Sequence, residues 1–215
     1  MAINMDKPST MFGLLAIMLI IAYFTASTAL EIVATTTGLL SVWLTTRESI
    51  WCMPMGLINV ACFFCSFYDA KLYADMTLQV FFFVLGIWGW YVWLTKRYTA
   101  KVRPTKRIEA KMIILLSILI IAGTGGWGYL LTEYTDASIP YADAFIAILS
   151  VIAQFLLSSK VLEHWLVWIV VDVLSIGMYF YKGLDTIAFL YIIYLFIAIA
   201  GWFGWKNGYQ KSLAT

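Results

Sequence analysis

One carboxylate lies deep inside an apolar segment of this chain. Asp172 is flanked by apolar residues in the stretch WLVWIVVDVLSIG, residues 165–177. The residues that share its helical face are spaced at i, i+3, i+7, i+10 and i+14: Trp165, Trp168, Asp172, Ser175 and Tyr179. An ionised acid facing lipid costs about 2.5–3.5 kcal/mol, so it should face inward. Because tryptophan faces attract cations, the pattern predicts a pocket for a flat cationic molecule.

Three other apolar segments each contain an amide side chain: Asn59, Gln79 and Gln154. An amide in hydrocarbon needs a hydrogen-bond partner, so each is a candidate for a binding site or for a helix–helix contact. Gln79 and Trp90, eleven residues apart, share a predicted helical face. We take Gln154, Tyr191 and Trp90 as secondary candidates. For the buried acid and its tryptophans, the structural alternatives are an ion pair and aromatic packing.

The segments around these residues are those of a membrane protein. Hydrophobic residues make up 63% of the 215 residues and charged residues only 12%, against about 25% charged in a soluble domain. A run of about 20 apolar residues can cross the bilayer as a helix. The sequence predicts an all-α polytopic membrane protein with eight candidate spans: 11–30, 31–46, 50–69, 76–95, 111–132, 141–159, 163–181 and 184–205. Residues 7–29 also resemble a cleavable signal peptide, which is the alternative for the first span.

The basic residues separate by side of the membrane. If successive loops alternate, twelve of the 14 Lys and Arg residues fall on one side, seven of them between 96 and 111. Basic loops stay cytoplasmic. This predicts a multi-pass protein of the bacterial inner membrane, with both termini cytoplasmic if all eight spans cross. The basic linker is interpreted as a topology anchor and not as a nucleic-acid site.

The groups that most enzymes need are missing from the sequence. There is no GxxxxGK[ST] phosphate loop, so the chain does not hydrolyse ATP itself. Its single histidine, His164, offers no credible nucleophile–base pair or metal set. The three cysteines, Cys52, Cys62 and Cys65, are expected to act as small apolar residues of one span. The sequence therefore predicts no enzyme, no cofactor and no metal.

Two parts of the chain repeat at an offset of 112 residues. A Gly-Trp pair followed by a further Trp occurs at 89–93 and again at 201–205. Trp51 resembles Trp165 two residues out of step, which predicts a small insertion; coincidental Trp-rich belts are the alternative. One helix between two three-helix units keeps them parallel, as in transporters whose halves rock about a central site. The expected segments are 1–30 with an extra helix, repeat 31–95, linker and connecting helix 96–140, repeat 141–205, and cytoplasmic tail 206–215.

Four stretches resemble one known family: GLINV (56–60), KLYADMTLQVFFF (71–83), GWYVW (89–93) and WLVW (165–168). They are similar to the Pnu family of bacterial vitamin transporters, over about residues 31–205. The resemblance implies a SWEET-like three-plus-one-plus-three helix core, with residues 11–30 as an additional helix. It also implies homotrimers and facilitated diffusion of an unphosphorylated vitamin precursor, which a cytoplasmic kinase traps. Asn59 and Gln79 match well-marked family positions, which implies a role in substrate binding.

The branches of this family differ in substrate. Thiamine and nicotinamide riboside both carry a positive aromatic ring, but riboside-type members often have Asn where this chain has Asp172. A carboxylate can accept hydrogen bonds from an aminopyrimidine, so we expect thiamine uptake, with nicotinamide riboside as the alternative. A proton-coupled carrier, a sugar-type SWEET-like carrier and a receptor or scaffold without flux stay open. The expected partners are the vitamin, membrane lipids and further copies of the chain, without nucleic acid.

Overall fold

A computed structural model describes residues 13, 16, 28–69, 73–95, 100–183 and 185–214. Within these ranges the chain forms seven α-helices: α1 Ala29–Thr46, α2 Cys52–Asp69, α3 Tyr73–Leu94, α4 Ala110–Tyr134, α5 Pro140–Ser158, α6 His164–Tyr181 and α7 Asp185–Ala214. They correspond to the predicted spans from 31–46 onward, except that α7 continues through most of the expected tail. The expected additional helix over 11–30 falls for the most part outside the described residues.

The first helix begins at a capping box. The Glu31 N–H donates to the Thr28 hydroxyl at 3.2 Å, and the Thr28 N–H donates to the Glu31 carboxylate at 2.7 Å. Pro140 occupies the start of α5, where its missing N–H removes a donor that would lack a partner. Both signals fix a helix start because they satisfy or remove N–H groups that the helix itself cannot bond.

Each of the seven helices is long and apolar enough to cross a membrane. Several exposed side chains are large and apolar; on α4 they include Ile114, Ile118 and Ile121. Soluble monomers rarely expose apolar surface on this scale, whereas hydrocarbon is its natural solvent, and helices satisfy their backbone groups internally there. The described part of the chain is therefore a polytopic α-helical membrane protein.

The helices pack as two groups of three, with α4 beside the second group. Consecutive helices contact one another from α1 to α3 and from α4 to α7. The groups meet where α3 packs against α5 and where α1 packs against α7. If α1, α2 and α3 are exchanged with α5, α6 and α7, the contact between α3 and α5 becomes the contact between α7 and α1. The two interfaces are therefore equivalent.

The turns that lead into α2 and α6 share their hydrogen bonds at an offset of 112 residues. Each holds a non-glycine residue in the left-handed region, Glu48 with φ 53° and Lys160 with φ 60°. The matching N–H to carbonyl bonds are Glu48 to Thr45 and Lys160 to Leu157, Ser49 to Leu44 and Val161 to Leu156, Cys52 to Ser49 and His164 to Val161. An insertion would break this match. The predicted insertion is therefore wrong here, and Trp51 corresponds to Glu163 and not to Trp165.

The basic linker lies across one end of the bundle. The Lys106 N–H donates to the Lys160 carbonyl at 3.0 Å, as part of a parallel bridge with the turn before α6. The Glu163 carboxylate accepts from the Ile108 N–H at 2.9 Å and pairs with the Arg107 side chain. We call this end the linker end; it is formed by residues 47–51, 100–109 and 159–163. The other end, with the turns after α4 and α6, is called the opposite end.

Candidate substrate-binding site

The inward face of α6 carries the stripe that the sequence predicts. Its buried members are Trp165, Asp172 and Ser175, and its half-buried members are Trp168 and Tyr179. The exposed side chains of the same helix are apolar and include Leu166, Val170, Val173 and Leu174. The helix is therefore apolar toward the membrane and polar toward the bundle, which is the arrangement that lipid imposes on a helix with an acid in its middle.

The Asp172 carboxylate has no charged partner in the described part of the chain. Its residue is 4% exposed, and the ion pairs found among the described residues are made by other acids: Glu48, Asp143 and Glu163. The carboxyl group acts electrostatically on the hydroxyls of Tyr191 and Tyr194 from α7. A buried carboxylate loses hydration energy that only a partner restores. A cation bound here would supply that partner.

Two more polar atoms on this face lack a partner. Ser175 Oγ and Trp165 Nε1 are buried, and neither has a hydrogen-bond partner among the described residues. Because most buried polar groups in proteins are hydrogen-bonded, two unpaired groups on one face suggest a ligand or water. Along the axis Ser175 lies about 5 Å from Asp172 and Trp165 about 10 Å. Asp172 and Ser175 can therefore contact the same small molecule.

Trp165 belongs to a closely packed aromatic cluster near the linker end. Its ring centroid lies 5.9 Å from that of Trp205, and a Cβ on Gly201 would come within 2.5 Å of its indole. Trp168 lies one turn closer to Asp172, is half-buried, and faces an aromatic ring of α3 at 6.5 Å. Of the two indoles, Trp168 is the better placed to contact a ligand at Asp172.

Three tyrosines from α6 and α7 lie next to one another close to Asp172. The ring centroids of Tyr179 and Tyr191 are 5.2 Å apart, and those of Tyr191 and Tyr194 are 6.0 Å apart. The Tyr194 hydroxyl also lies 3.5 Å from the point that a Cβ on Gly38 would occupy, so it reaches α1. Tyr194 is absent from the predicted set. Its spacing of three residues from Tyr191 is the sequence signal that could have identified it.

Of the three amides, Asn59 makes a defined contact. Its Nδ2 donates to the Ala34 carbonyl at 2.7 Å and so joins α2 to α1. A Cβ on Gly38 would come within 2.7 Å of the same nitrogen, so glycine allows this approach. Gln79 is buried on α3 and Gln154 is half-buried on α5. Asn59 therefore already has one partner on α1, beside the Tyr194 hydroxyl.

Trp90 does not lie on the inward face of α3, and its prediction as a secondary site residue is wrong. It is 37% exposed, whereas Gln79, Gly86, Gly89 and Trp93 are buried. The buried arc of α3 is centred near Gly86 and Gly89, because these glycines allow close packing of neighbouring side chains. The i+11 spacing from Gln79 places Trp90 at the edge of this arc, turned toward the membrane.

Charged side chains gather at the opposite end, where α3, α5 and α6 meet. Lys182 Nζ lies 2.7 and 3.0 Å from the two Asp143 oxygens. Asp75, at the start of α3, is close enough to be repelled by Asp143 and attracted by Lys182. Both carboxylates act on the Tyr179 hydroxyl. Polar groups therefore continue from the opposite end through Tyr179 toward Asp172.

Other features do not form a competing site. No group of three His, Cys, Asp or Glu side chains that could hold a metal occurs in the described ranges. Cys62 and Cys65 have CxxC spacing on α2, but both are free thiols and Cys65 is exposed. An open apolar groove between α5 and α6, lined in part by Ile146 and Val173, does not include Asp172. The polar inward face of α6 is the candidate site.

Comparison with known proteins adds independent findings. Residues 28–207 match the model of the family described as nicotinamide mononucleotide transporter. The nicotinamide riboside transporter PnuC of Escherichia coli strain K12 is 30% identical over 207 residues, covering 85% of this chain and 87% of that protein. The protein of the same name from Neisseria mucosa is 25% identical, with 90% and 78% covered. The riboflavin/roseoflavin transporter RibM of Streptomyces davaonensis is 25% identical, with 81% and 83% covered.

A solved structure has the same fold. The crystal structure of the vitamin B3 transporter PnuC superposes with a TM-score of 0.75 at 23% identity, covering 94% of this chain and 90% of that one. The seven helices of the present chain therefore adopt the arrangement of a known membrane transporter.

Proposed function

Because this chain belongs to the nicotinamide mononucleotide transporter family, we propose that it carries nicotinamide riboside across a bacterial inner membrane. Its relatives are transporters and not enzymes, and they are named for nicotinamide riboside or riboflavin. The chain is accordingly a multi-pass vitamin transporter. The choice among vitamins depends on the chemistry of its own residues.

One observation supports a cationic substrate. The Asp172 carboxylate is 4% exposed, faces the bundle, and has no ion-pair partner among the described residues. Nicotinamide riboside carries a pyridinium ring, which would neutralise this acid, whereas the flavin ring of riboflavin is uncharged. A bound pyridinium would recover electrostatic energy that a neutral ring would leave unrecovered. The acid therefore favours the riboside over riboflavin.

The expected preference for thiamine finds no support in the comparisons, and the alternative fits them better. The PnuC relatives, at 30% and 25% identity, are named for nicotinamide riboside. The argument for thiamine came from the carboxylate at position 172, but that group suits a pyridinium as well as a thiazolium. The aspartate thus selects for a cation and does not identify which one.

The same acid favours an unphosphorylated substrate. Two unit charges of like sign at 4 Å repel by about 4 kcal/mol at an effective dielectric constant of 20. A phosphate in the pocket beside Asp172 would incur this cost, while the riboside alone would not. Intracellular phosphorylation would therefore trap the vitamin, and influx could proceed by facilitated diffusion without an energy source in this chain.

The proposed roles follow the geometry of α6 and α7. Asp172 is the counter-ion of the pyridinium, Trp168 covers one ring face, and Ser175 Oγ bonds a polar group of the substrate. Tyr194 and Asn59 approach from the α1 side, and their hydrogen-bonding groups suit the ribose hydroxyls. Trp165 closes the pocket toward the linker end as part of the aromatic cluster. The remaining predicted residues, Gln79, Gln154, Tyr179 and Tyr191, are proposed to line the route.

We also propose the three-plus-one-plus-three architecture, with repeats 31–95 and 141–205 about the connecting helix α4. It is supported by the equivalent interfaces between α3 and α5 and between α7 and α1, and by the matching turns at Glu48 and Lys160. The linker end is proposed to face the cytoplasm, because it carries the basic residues 101–111. The homotrimer, the additional N-terminal helix and the cytoplasmic termini stay predictions.

Uptake by purified protein in liposomes tests the proposal. Labelled nicotinamide riboside should enter with saturable kinetics and level off at equal concentrations inside and outside. Asp172→Asn should weaken its apparent affinity at least tenfold. The control, Asp136→Asn, makes the same change of charge at an exposed position and should match the parent. Thiamine uptake without riboside uptake would overturn the substrate, and absence of any flux would overturn transport.

A proton-coupled carrier is the second candidate, because a lone carboxyl group inside a membrane is also the usual feature of a proton relay. The liposome assay separates the two mechanisms. An inwardly directed proton gradient should leave the final level of riboside unchanged if diffusion is facilitated. Accumulation above the external concentration would instead assign proton coupling to this chain.

A further inference from the structure

The linker end is closed around one buried cation. Lys160 is 0% exposed, and its Nζ lies 2.6 Å from a carboxylate oxygen of Glu48. The same ammonium lies 3.9 Å from the ring centroid of Trp93 and 4.0 Å from that of Trp205. The Thr105 hydroxyl of the linker donates to the Glu48 carboxylate at 3.1 Å. This closure therefore joins both helix groups and the linker.

The two helix groups contribute to the closure symmetrically. Glu48 and Lys160 occupy the same place in the two matching turns, and Trp93 and Trp205 are also 112 residues apart. Trp93 Nε1 donates to the carbonyl of Leu157 at the end of α5, and Trp205 Nε1 donates to that of Thr45 at the end of α1. Each indole thus fastens its own group to the first helix of the other.

The charges in the closure are suited to reversible contact. Burial lowers the pKa of Lys160 from its ordinary value, while Glu48 acts in the opposite direction. Burial and pairing of opposite charges nearly offset each other in proteins, and both groups could be rehydrated if the ends moved apart. A close-packed apolar contact would instead lose its full burial on separation. The pair holds the end shut without making its opening very costly.

We propose that Glu48 and Lys160, held between Trp93 and Trp205, are the gate of the linker end, and that substrate leaves on this side when the pair separates. The proposal rests on the transport function above, since a gate has a role only in a protein with flux. Opening of one end while the other is closed is the general requirement of alternating access about a central site.

Cys52 offers a native reporter of this opening. It is 2% exposed, packs with Trp93, Trp165 and Trp205, and is close enough to Lys160 for their charges to interact. In a protein with Cys62→Ala and Cys65→Ala, it is the remaining thiol of the three. A membrane-impermeant cationic methanethiosulfonate applied from the linker side should therefore label it slowly.

Breaking the pair should expose this thiol. We expect Lys160→Met and Glu48→Gln each to raise the labelling rate of Cys52 at least tenfold. The swap Glu48→Lys with Lys160→Glu should restore slow labelling, because a lysine at either position of the matched turns reaches the same two indoles. Lys182→Met, which breaks the ion pair with Asp143 at the opposite end, is the matched control and should label as slowly as the parent.

Labelling needs no substrate, so its outcome is independent of the riboside assay. Unchanged labelling in both single variants, or an equal rise in Lys182→Met, would overturn the gate. If the single variants fail to fold, as judged by size-exclusion chromatography, the swap decides. A folded swap with slow labelling supports the gate, and a swap that is unfolded or labels as fast as denatured protein contradicts it.

Discussion

Two buried charges of opposite sign lie in this bundle, and their surroundings differ. Lys160, at the linker end, contacts a carboxylate and two indole faces. Asp172, in the middle of α6, has no ion pair in the described ranges, and Ser175 Oγ one turn away is also unpaired. Both residues are at most 4% exposed. One charge is saturated by the protein itself, while the other is left for something else.

The difference separates holding from binding. A buried charge with a complete set of partners adds geometric definition, because its partners must meet at one point. A buried charge without partners raises the energy of the empty protein and lowers it again when a counter-ion arrives. Neutralising substitutions should therefore have opposite consequences in the two regions, which makes the comparison open to direct experiment.

The largest effect is expected when the sign of the saturated charge is reversed. Lys160→Glu would place a second carboxylate against Glu48 and against two electron-rich ring faces. Breaking a buried pair costs about 3–5 kcal/mol, so we expect a fall in thermal unfolding temperature of many degrees in detergent. Lys160→Met, which keeps the volume and loses only the charge, is the control and should fall far less. Equal stability of the two variants would show that the charge is not held as described.

The next effect concerns packing in the same region. Gly201→Ala would place a Cβ within 2.5 Å of the Trp165 indole, which is itself packed against Trp205. Overpacking of this kind costs about 1–3 kcal/mol, and a rigid indole favours the upper end. Gly177→Ala, on α6, meets nothing within 4 Å and serves as the control. Thermal unfolding of both variants measures the difference, and an unaffected Gly201→Ala would mean that the linker end is loosely packed.

At the unsaturated charge, neutralisation should spare stability and impair binding. Asp172→Asn removes an unpaired buried carboxylate, so its unfolding temperature should equal or exceed that of the parent. Its affinity for nicotinamide riboside should fall about tenfold, which corresponds to about 1.4 kcal/mol. Unfolding temperature with and without the riboside gives both quantities in one experiment. A strong loss of stability in the absence of substrate would indicate that Asp172 has a structural partner.

Much of the fold follows from the sequence because lipid imposes simple rules. The apolar runs located the seven described helices, since a helix that crosses hydrocarbon must be long and apolar. The end of α7 was missed because Lys206 and the polar residues after it ended the hydropathy signal without ending the helix. The repeat was found from Gly-Trp pairs, but matching Trp51 to Trp165 gave the wrong register. Equivalence is determined there by turn geometry and not by residue type.

The site was predictable along one helix and less so between helices. The spacing from Trp165 to Tyr179 identified the inward face of α6, because one helix determines its own periodicity. Tyr194 was missed because its position beside Gly38 depends on how α7 meets α1. Lys160 looked like an ordinary basic loop residue, since nothing local indicates that indoles far along the chain enclose it. Contacts between distant segments are the part that periodicity does not encode.

The smallest expected effect tests a third kind of polar group, one that has a neutral partner. Asn59→Ala removes the bond from Nδ2 to the Ala34 carbonyl, which should cost about 1 kcal/mol of stability, visible as a small fall in unfolding temperature. Asn59→Asp keeps the size but removes the donor, and should cost at least as much. If Asn59 also contacts the ribose, Asn59→Ala will weaken riboside binding beyond its effect on stability. If it only joins α2 to α1, binding will follow stability, and Asp172 will remain the distinguishing polar group of the site.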